Sequence, residues 1–326
     1  MKACHSEFVQ LRGRRLHVRC WGNPAAPLLV LLHGWCDVSA SFQFVVDALE
    51  RDWRVLAPDW RGFGLSEWND DVYWFPDYIA DLDALLDHYS PQSPVRLVGH
   101  SLGGNAACIY AGIRPARVAR VVNLEGLGLR RYASEEAPER YANWLDQLRD
   151  TPSFRSYADR SAFAARLQKE NPRLSDEKAR FLAQNMSEDD GAGGIHLAAD
   201  PFHRWVNPII YRVEEAMAIW RQVTAPVLWV TAADSFIFKQ LFAVDSEDYR
   251  SRIACFRDVR EVTVQECGHN LHHDQPQQVA RLIEDFFVPG RRSTLICIAI
   301  RQSPTGCLLR QTWCAAPPTT AWNYWR

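Results

Sequence analysis

The chain has 326 residues, 47% of them hydrophobic and 23% charged, with a formal net charge of −2. These ordinary globular values exclude disorder as the main theme and give no electrostatic footprint for nucleic acid or anionic lipid. No apolar run approaches the ~18–20 residues that a membrane helix needs. The opening MKACHSEFVQLRGRR has no apolar core, so no secretory signal is expected. The nine cysteines are irregularly spaced and form no C-x-x-C pair. That pattern fits reduced thiols in a cytoplasmic protein better than a disulfide framework or a zinc site. At ~150 residues per domain, the length suits two domains or one large α/β domain with an insertion.

In chain order, residues 8–21 alternate apolar and polar around Arg12-Gly13-Arg14 and predict a β-hairpin. Pro27 precedes LLVLL, a short continuous apolar run of the kind buried on both faces of a sheet. Residues 41–51 have helical spacing, with Phe42, Val45, Val46 and Leu49 on one face. Residues 54–57, 95–98 and 118–124 predict strands, and 78–89 and 102–113 predict helices. This alternation argues for a mostly parallel sheet with helices on both faces.

From 130 to 222 the rhythm changes to charged, helix-prone segments at 138–149, 161–170 and 175–186, followed by the glycine-rich stretch 190–194. Strands resume at 227–230 and 262–264, and an amphipathic helix is expected over 276–287. The expected organisation is therefore an α/β core made of 1–129 and 223–289, interrupted by a helical cap at 130–222. Residues 290–326 differ from the rest, with five arginines, no acidic residue, three cysteines and three tryptophans. They are expected to be an atypical, disordered C-terminal tail outside the fold; a basic, aromatic arm that contacts a partner or a membrane surface is the alternative.

The sharpest chemical signal is Gly99-His100-Ser101-Leu102-Gly103, placed between a predicted strand and a predicted helix. A tight strand-to-helix turn strains the backbone and presents the serine Oγ at the edge of the sheet, with the helix N-terminus beside it. Acyl transfer also needs two backbone N–H groups aimed at the developing oxyanion. Leu102 supplies one by position, and Trp35, in His33-Gly34-Trp35 after LLVLL, supplies the other. His33 is expected to hold that loop and not to react. A serine needs a base, and the base an orienting carboxylate. Gly268-His269 and Asp234, at the end of TAAD, fill those places, and the order Ser101, Asp234, His269 is that of the α/β-hydrolases.

On these residues the sequence resembles the α/β-hydrolase superfamily from about residue 8 to 288. The supporting motifs are HGW (33–35), PDWRGFGLSE (58–67), VGHSLGG (98–104), TAAD (231–234) and ECGHNLHHDQP (266–276). The resemblance is greatest to the capped serine hydrolase-like group, through NPIIYRVEEAMAIW (207–220) leading into APVLWV (225–230). It implies an α/β-hydrolase fold and a catalytic set of Ser101, His269 and Asp234.

Two departures bear on the acid. Thr231 stands where the family usually has glycine, and Glu125, after the strand that follows the nucleophile helix, occupies a place where some relatives put the acid. Glu125 is therefore the alternative acid. His269, His272 and His273 form H-x-x-H-H, but no carboxylate or cysteine set completes it, so no metal and no cofactor are expected. Asp59 and Arg61 predict a structural turn, and His196 and His203 predict packing or surface roles.

The function expected is hydrolysis of a small to medium carboxylic ester, or a related acyl substrate, through an acyl-enzyme on Ser101. Thioester, lactone or C–C bond hydrolysis with the same triad remains an alternative, as does a hydrolase-like protein that binds without turnover. A small-molecule substrate is expected, with no nucleic-acid partner and no membrane span; nothing in the sequence specifies the oligomeric state.

Overall fold

The computed structural model describes residues 1–69, 71–237 and 246–288. The tail expected at 290–326 lies outside the described residues. Ten strands and ten α-helices can be followed in chain order among the described residues. The first are β1 (Cys4–Leu11), β2 (Arg14–Trp21), β3 (Leu28–Leu32), α1 (Gln43–Ala48), β4 (Arg54–Pro58), α2 (Phe75–Tyr89), β5 (Val95–His100), α3 (Leu102–Ile113) and β6 (Val118–Leu124). Then come α4 (Ala137–Gln147), α5 (Arg160–Glu170), α6 (Asp176–Asn185), β7 (Ser187–Asp189), β8 (Ile195–Leu197) and α7 (Val213–Trp220). The chain continues with β9 (Val227–Ala232), α8 (Glu247–Ile253), β10 (Val259–Val264), α9 (Leu271–Asp274) and α10 (Pro276–Phe287).

Eight strands form one sheet in the order β1-β2-β4-β3-β5-β6-β9-β10. From β4 to β10 every neighbouring pair is parallel, and β2 alone runs against the rest. The β1–β2 hairpin turns through Arg12 and Gly13, both at positive φ (50° and 76°). That is the backbone of a two-residue turn whose twist matches the strands it joins.

The LLVLL run behaves as a doubly covered strand should. Leu29 and Leu31 pack with Val45 and Val46 of α1 and Ile283 of α10 on one face. Val30 and Leu32 pack with Leu82 of α2 and Tyr110 of α3 on the other. Burying each such side chain contributes about 1.5–3 kcal/mol.

Two expectations needed revision. The helix expected over 41–51 is a short 3-10 turn, Ser39–Phe42, followed by α1, which ends at Ala48. The glycine-rich stretch 190–194 is the turn of the small β7–β8 hairpin, whose three-residue strands are too short to show a period of two. Between β6 and β9, helices α5 and α6 start on side-chain caps, Asp159 accepting from the Ala162 N–H and Ser175 from the Lys178 N–H. Among the described residues no helix is long and apolar enough to cross a membrane.

The turn after β4 has the structural role expected of it. Asp59 accepts from the buried His17 ring at 2.7 Å and from the Ser39 and Leu65 N–H groups at 2.6 and 3.0 Å. Arg61 makes a two-pronged ion pair with Asp81, both contacts at 2.6 Å. Both side chains are almost wholly buried. Removing one partner of such a pair strands the other charge, at a cost of about 3–5 kcal/mol. Arg61→Ala is therefore expected to lower unfolding stability by ~3 kcal/mol, read from the midpoint of a urea titration. Arg12, which also reaches Asp81 at 2.9 Å, places the loss at the lower end of that range.

Candidate active site

The strand order reverses direction at β3, with β4 on one side and β5 on the other. In open sheets of this kind the loops at the carboxyl ends of the strands diverge at that point and leave a crevice. Trp35 follows β3, Ser101 follows β5, Glu125 follows β6, Asp234 follows β9 and His269 follows β10. These five residues thus sit at the same end of the sheet.

Ser101 stands alone between β5 and α3 at φ 51° and ψ −112°. A positive φ in a non-glycine residue costs about 1–3 kcal/mol and persists only where the surroundings impose it. Here the Ser101 N–H donates to the Leu124 carbonyl at 2.9 Å, and its own carbonyl accepts from the Asn105 N–H at 3.0 Å. The flanking glycines are required by space. A Cβ on Gly99 would lie 2.2 Å from the Gly103 carbonyl oxygen, and one on Gly103 would lie 2.1 Å from that of Leu32. Since the obstacles are backbone atoms, Gly103→Ala is expected to destabilise the fold by at least ~1–3 kcal/mol. A thermal melt that stays within a degree or two of wild type would contradict this.

The loop after β3 lies against the serine turn: a Cβ on Gly34 would be 3.3 Å from the Ser101 Cβ. His33 fastens this loop. Its Nε2 accepts from the Trp60 N–H at 2.9 Å, which makes Nδ1 the protonated nitrogen, and Nδ1 donates to the Gly34 carbonyl at 2.7 Å. Both ring nitrogens are thereby used, as expected of a residue that holds the loop. The Leu102 N–H belongs to the first turn of α3, where backbone donors have no partner within the helix.

His269 is brought to Glu125. Its Nδ1 lies 3.2 Å from the Glu125 Oε2, with the imidazole 13% exposed and the carboxylate fully buried. The carboxylate also accepts from the Ala232 N–H at 2.7 Å and from the Ser235 hydroxyl. Asp234 is not placed in that position. Its backbone N–H is tied to the Cys267 carbonyl at 3.0 Å, and its side chain, 48% exposed, pairs with Arg173 at 2.6 Å. The turn after β9 thus directs Ser235 inward and Asp234 outward, while Glu125, at φ 61°, turns its side chain under the histidine. Of the two candidate acids, Asp234 and its alternative Glu125, it is Glu125 that lies against His269 in this structure.

A column of imidazoles extends from His269 into the interior. Ring centroids are 4.8 Å apart for His269 and His100, 4.2 Å for His100 and His272, and 4.0 Å for His272 and His273. The His100 Nε2 meets the His269 carbonyl at 2.9 Å. Burial pushes the His100 and His273 pKa values well below the ordinary imidazole range, which keeps both rings neutral at pH 7. Asp37, from the loop after β3, faces His272. Nothing in the sequence joined Asp37 to the histidines, because they come from three segments separated by at least sixty residues. His203, by contrast, is a packing residue, stacked between Phe63 and Tyr73 at 3.8 and 3.6 Å.

Comparison with known proteins places this geometry in context. The profile of a family described as alpha/beta hydrolase fold matches residues 27–276. A serine hydrolase-like protein of Danio rerio is 29% identical over 303 residues, covering 89% of this chain and 90% of the relative. A 3-hydroxybutyrate-oligomer hydrolase of Cupriavidus necator is 29% identical over 274 residues, 80% of this chain and 88% of the relative. Among solved structures, a thioesterase domain from the curacin biosynthetic pathway superposes with a TM-score of 0.77 at 27% identity, covering 86% of this chain and 99% of that domain.

Proposed function

Because the chain belongs to the alpha/beta hydrolase family, we propose that it is a serine hydrolase that cleaves a small to medium carboxylic ester through an acyl-enzyme on Ser101. The observation that carries this reading is the buried Glu125 carboxylate against His269 Nδ1, beside the strained turn that presents Ser101. With Nδ1–H held by Glu125, the imidazole offers Nε2 as the base. Ser101 Oγ attacks the ester carbonyl carbon as Nε2 takes its proton. The carbonyl oxygen becomes an oxyanion facing the Trp35 and Leu102 N–H groups. Collapse breaks the C–O bond, and the proton on Nε2 leaves with the alcohol. Water then repeats the sequence on the acyl-enzyme, releasing the acid and restoring Ser101. Glu125 holds the imidazole in this orientation and stabilises the imidazolium.

The nucleophile limits the substrate class. A serine that attacked an alkyl carbon would form an ether with no hydrolytic route to release, which disfavours epoxide and haloalkane chemistry. An acyl carbon has such a route. The names of two relatives, a hydrolase of 3-hydroxybutyrate oligomers and a thioesterase domain, both describe acyl groups transferred to water.

Residues 130–222 act in this reading as a cap that shields the acyl-enzyme. Its α5–α6 hairpin is fastened to the His269 side of the site. The Asn171 amide donates to Asp274 at 2.6 Å, the Lys178 ammonium to the His273 carbonyl at 2.6 Å, and Arg173 pairs with Asp234. Such cover excludes water and strengthens the electrostatics beneath it.

A chain-length series of p-nitrophenyl esters, run beside thioesters of the same acyl groups, tests the proposal. Saturable turnover of short and medium oxygen esters is expected. Binding of these esters without any turnover would replace hydrolysis with a binding role.

A further inference from the structure

We propose that Asp37, His100 and His272 form a buried site for a borderline divalent cation of the zinc type, which ties together the three segments that carry the reacting groups. One donor atom from each of these residues lies within 4.8 Å of the others, and all three residues are buried. The site goes beyond the hydrolase reading and does not depend on it.

Hydrogen bonding around these atoms is the first reason. The His272 Nε2 lies 3.5 Å from both Asp37 Oδ2 and Ser41 Oγ, too long for a strong bond to either. Its Nδ1 and the His100 Nδ1 are buried with no hydrogen-bond partner. Buried polar atoms are nearly always satisfied, so the bare His100 Nδ1 in this cluster requires an explanation, whereas the His272 Nδ1 is not the ring nitrogen that approaches Asp37.

The second reason is tautomer control. The His100 Nε2 donates to the His269 carbonyl at 2.9 Å, which leaves the Nδ1 lone pair turned inward. A ring N–H donated to a backbone carbonyl is the usual support for a metal-binding histidine, because it fixes the free lone pair on the other nitrogen.

Spacing and charge are the third. Ligands about 2.0–2.2 Å from a tetrahedral cation lie roughly 3.3–3.6 Å from one another. The 3.5 Å between Asp37 Oδ2 and His272 Nε2 already has this value. Among the described residues, His272 is the single basic group within ion-pairing distance of the buried Asp37 carboxylate. Two imidazoles and one carboxylate suit zinc and its neighbours in the first transition row better than calcium or magnesium, which prefer oxygen.

A second group, His5, Glu7 and Cys20, could compete for the metal, but it contains a thiol, and thiolate ligation leaves a spectroscopic mark. The full chain, stripped with a chelator, is titrated with Co²⁺ and with Zn²⁺, following calorimetric heat and visible absorption. The expected result is one equivalent bound with a Kd in the micromolar range or tighter, without the near-ultraviolet band of cobalt–thiolate bonds. Asp37→Asn and His272→Gln should each weaken binding at least tenfold, whereas His5→Ala should not. Zinc-edge X-ray absorption on the wild-type protein, which needs no variant to fold, should show two imidazole nitrogens and oxygen. No saturable binding, sulfur in the coordination shell, or binding unchanged in both folded variants would overturn the proposal. Because these readouts measure binding and not turnover, their failure would leave the hydrolase reading untouched.

Discussion

Replacing Ser101 by alanine is expected to lower kcat on p-nitrophenyl esters by on the order of 10⁴–10⁶ while the protein remains folded. The change removes only Oγ, and alanine should tolerate the turn, since Ser101 is held at φ 51° by backbone bonds to Leu124 and Asn105 and not by its side chain. His269→Ala should fall in the same range, because nucleophile and base act as a unit and removing either disables the same step. The loss should appear in kcat with little change in KM, as the hydroxyl contributes to bond making and little to ground-state binding. Far-UV circular dichroism alongside the kinetics separates lost chemistry from lost structure. Hydrolysis by folded Ser101→Ala within tenfold of wild type would mean that another group is the nucleophile.

The second large effect concerns the two acids, which the structure treats very differently. Glu125→Gln is expected to reduce kcat by up to ~10⁴, since an amide can present N–H to His269 Nδ1 and stabilise the wrong tautomer, and it removes the charge that balances the imidazolium. It should also disturb the Ala232 N–H and Ser235 hydroxyl, which the carboxylate accepts in the native protein. Asp234→Asn should lower kcat by less than about tenfold, because an exposed ion pair with Arg173 contributes only about 0–1 kcal/mol. Parallel kinetics on the two variants rank them directly. If Asp234→Asn were the more damaging, the histidine would have to leave Glu125 for Asp234 during turnover.

Much of this architecture could be read before any coordinates. Helix 102–113 and strand 118–124 coincide with α3 and β6, because an apolar period and a clear turn marked both ends. The serine turn was legible for a steric reason: glycine is forced at 99 and 103 by the Leu32 and Gly103 carbonyls, so geometry is imprinted on residue type. His33 was legible as a loop holder, and its two ring hydrogen bonds account for it.

The acid was not legible in the same way. Both Glu125 and Asp234 end parallel strands on the same side of the sheet, and either carboxylate has suitable chemistry. What separates them is which way a two-residue turn points and whether Arg173, sixty residues away in α5–α6, takes one of them. Local sequence carries neither fact. The β7–β8 hairpin escaped for another reason, since three residues per strand hold too little pattern to reveal a period. Asp37 shows the same limit, since its meeting with His100 and His272 depends on three distant segments converging.

Labelling with a fluorophosphonate probe tests the central claim most directly, because the probe reacts only with a serine activated by a working base and oxyanion site. Intact-mass and peptide analysis of the wild-type protein should show one adduct, on Ser101, and labelling should fall sharply in Glu125→Gln and vanish in His269→Ala. A folded wild-type protein that takes up no label, or takes it up elsewhere while Ser101 stays unmodified, would contradict the assignment of Ser101 as the nucleophile.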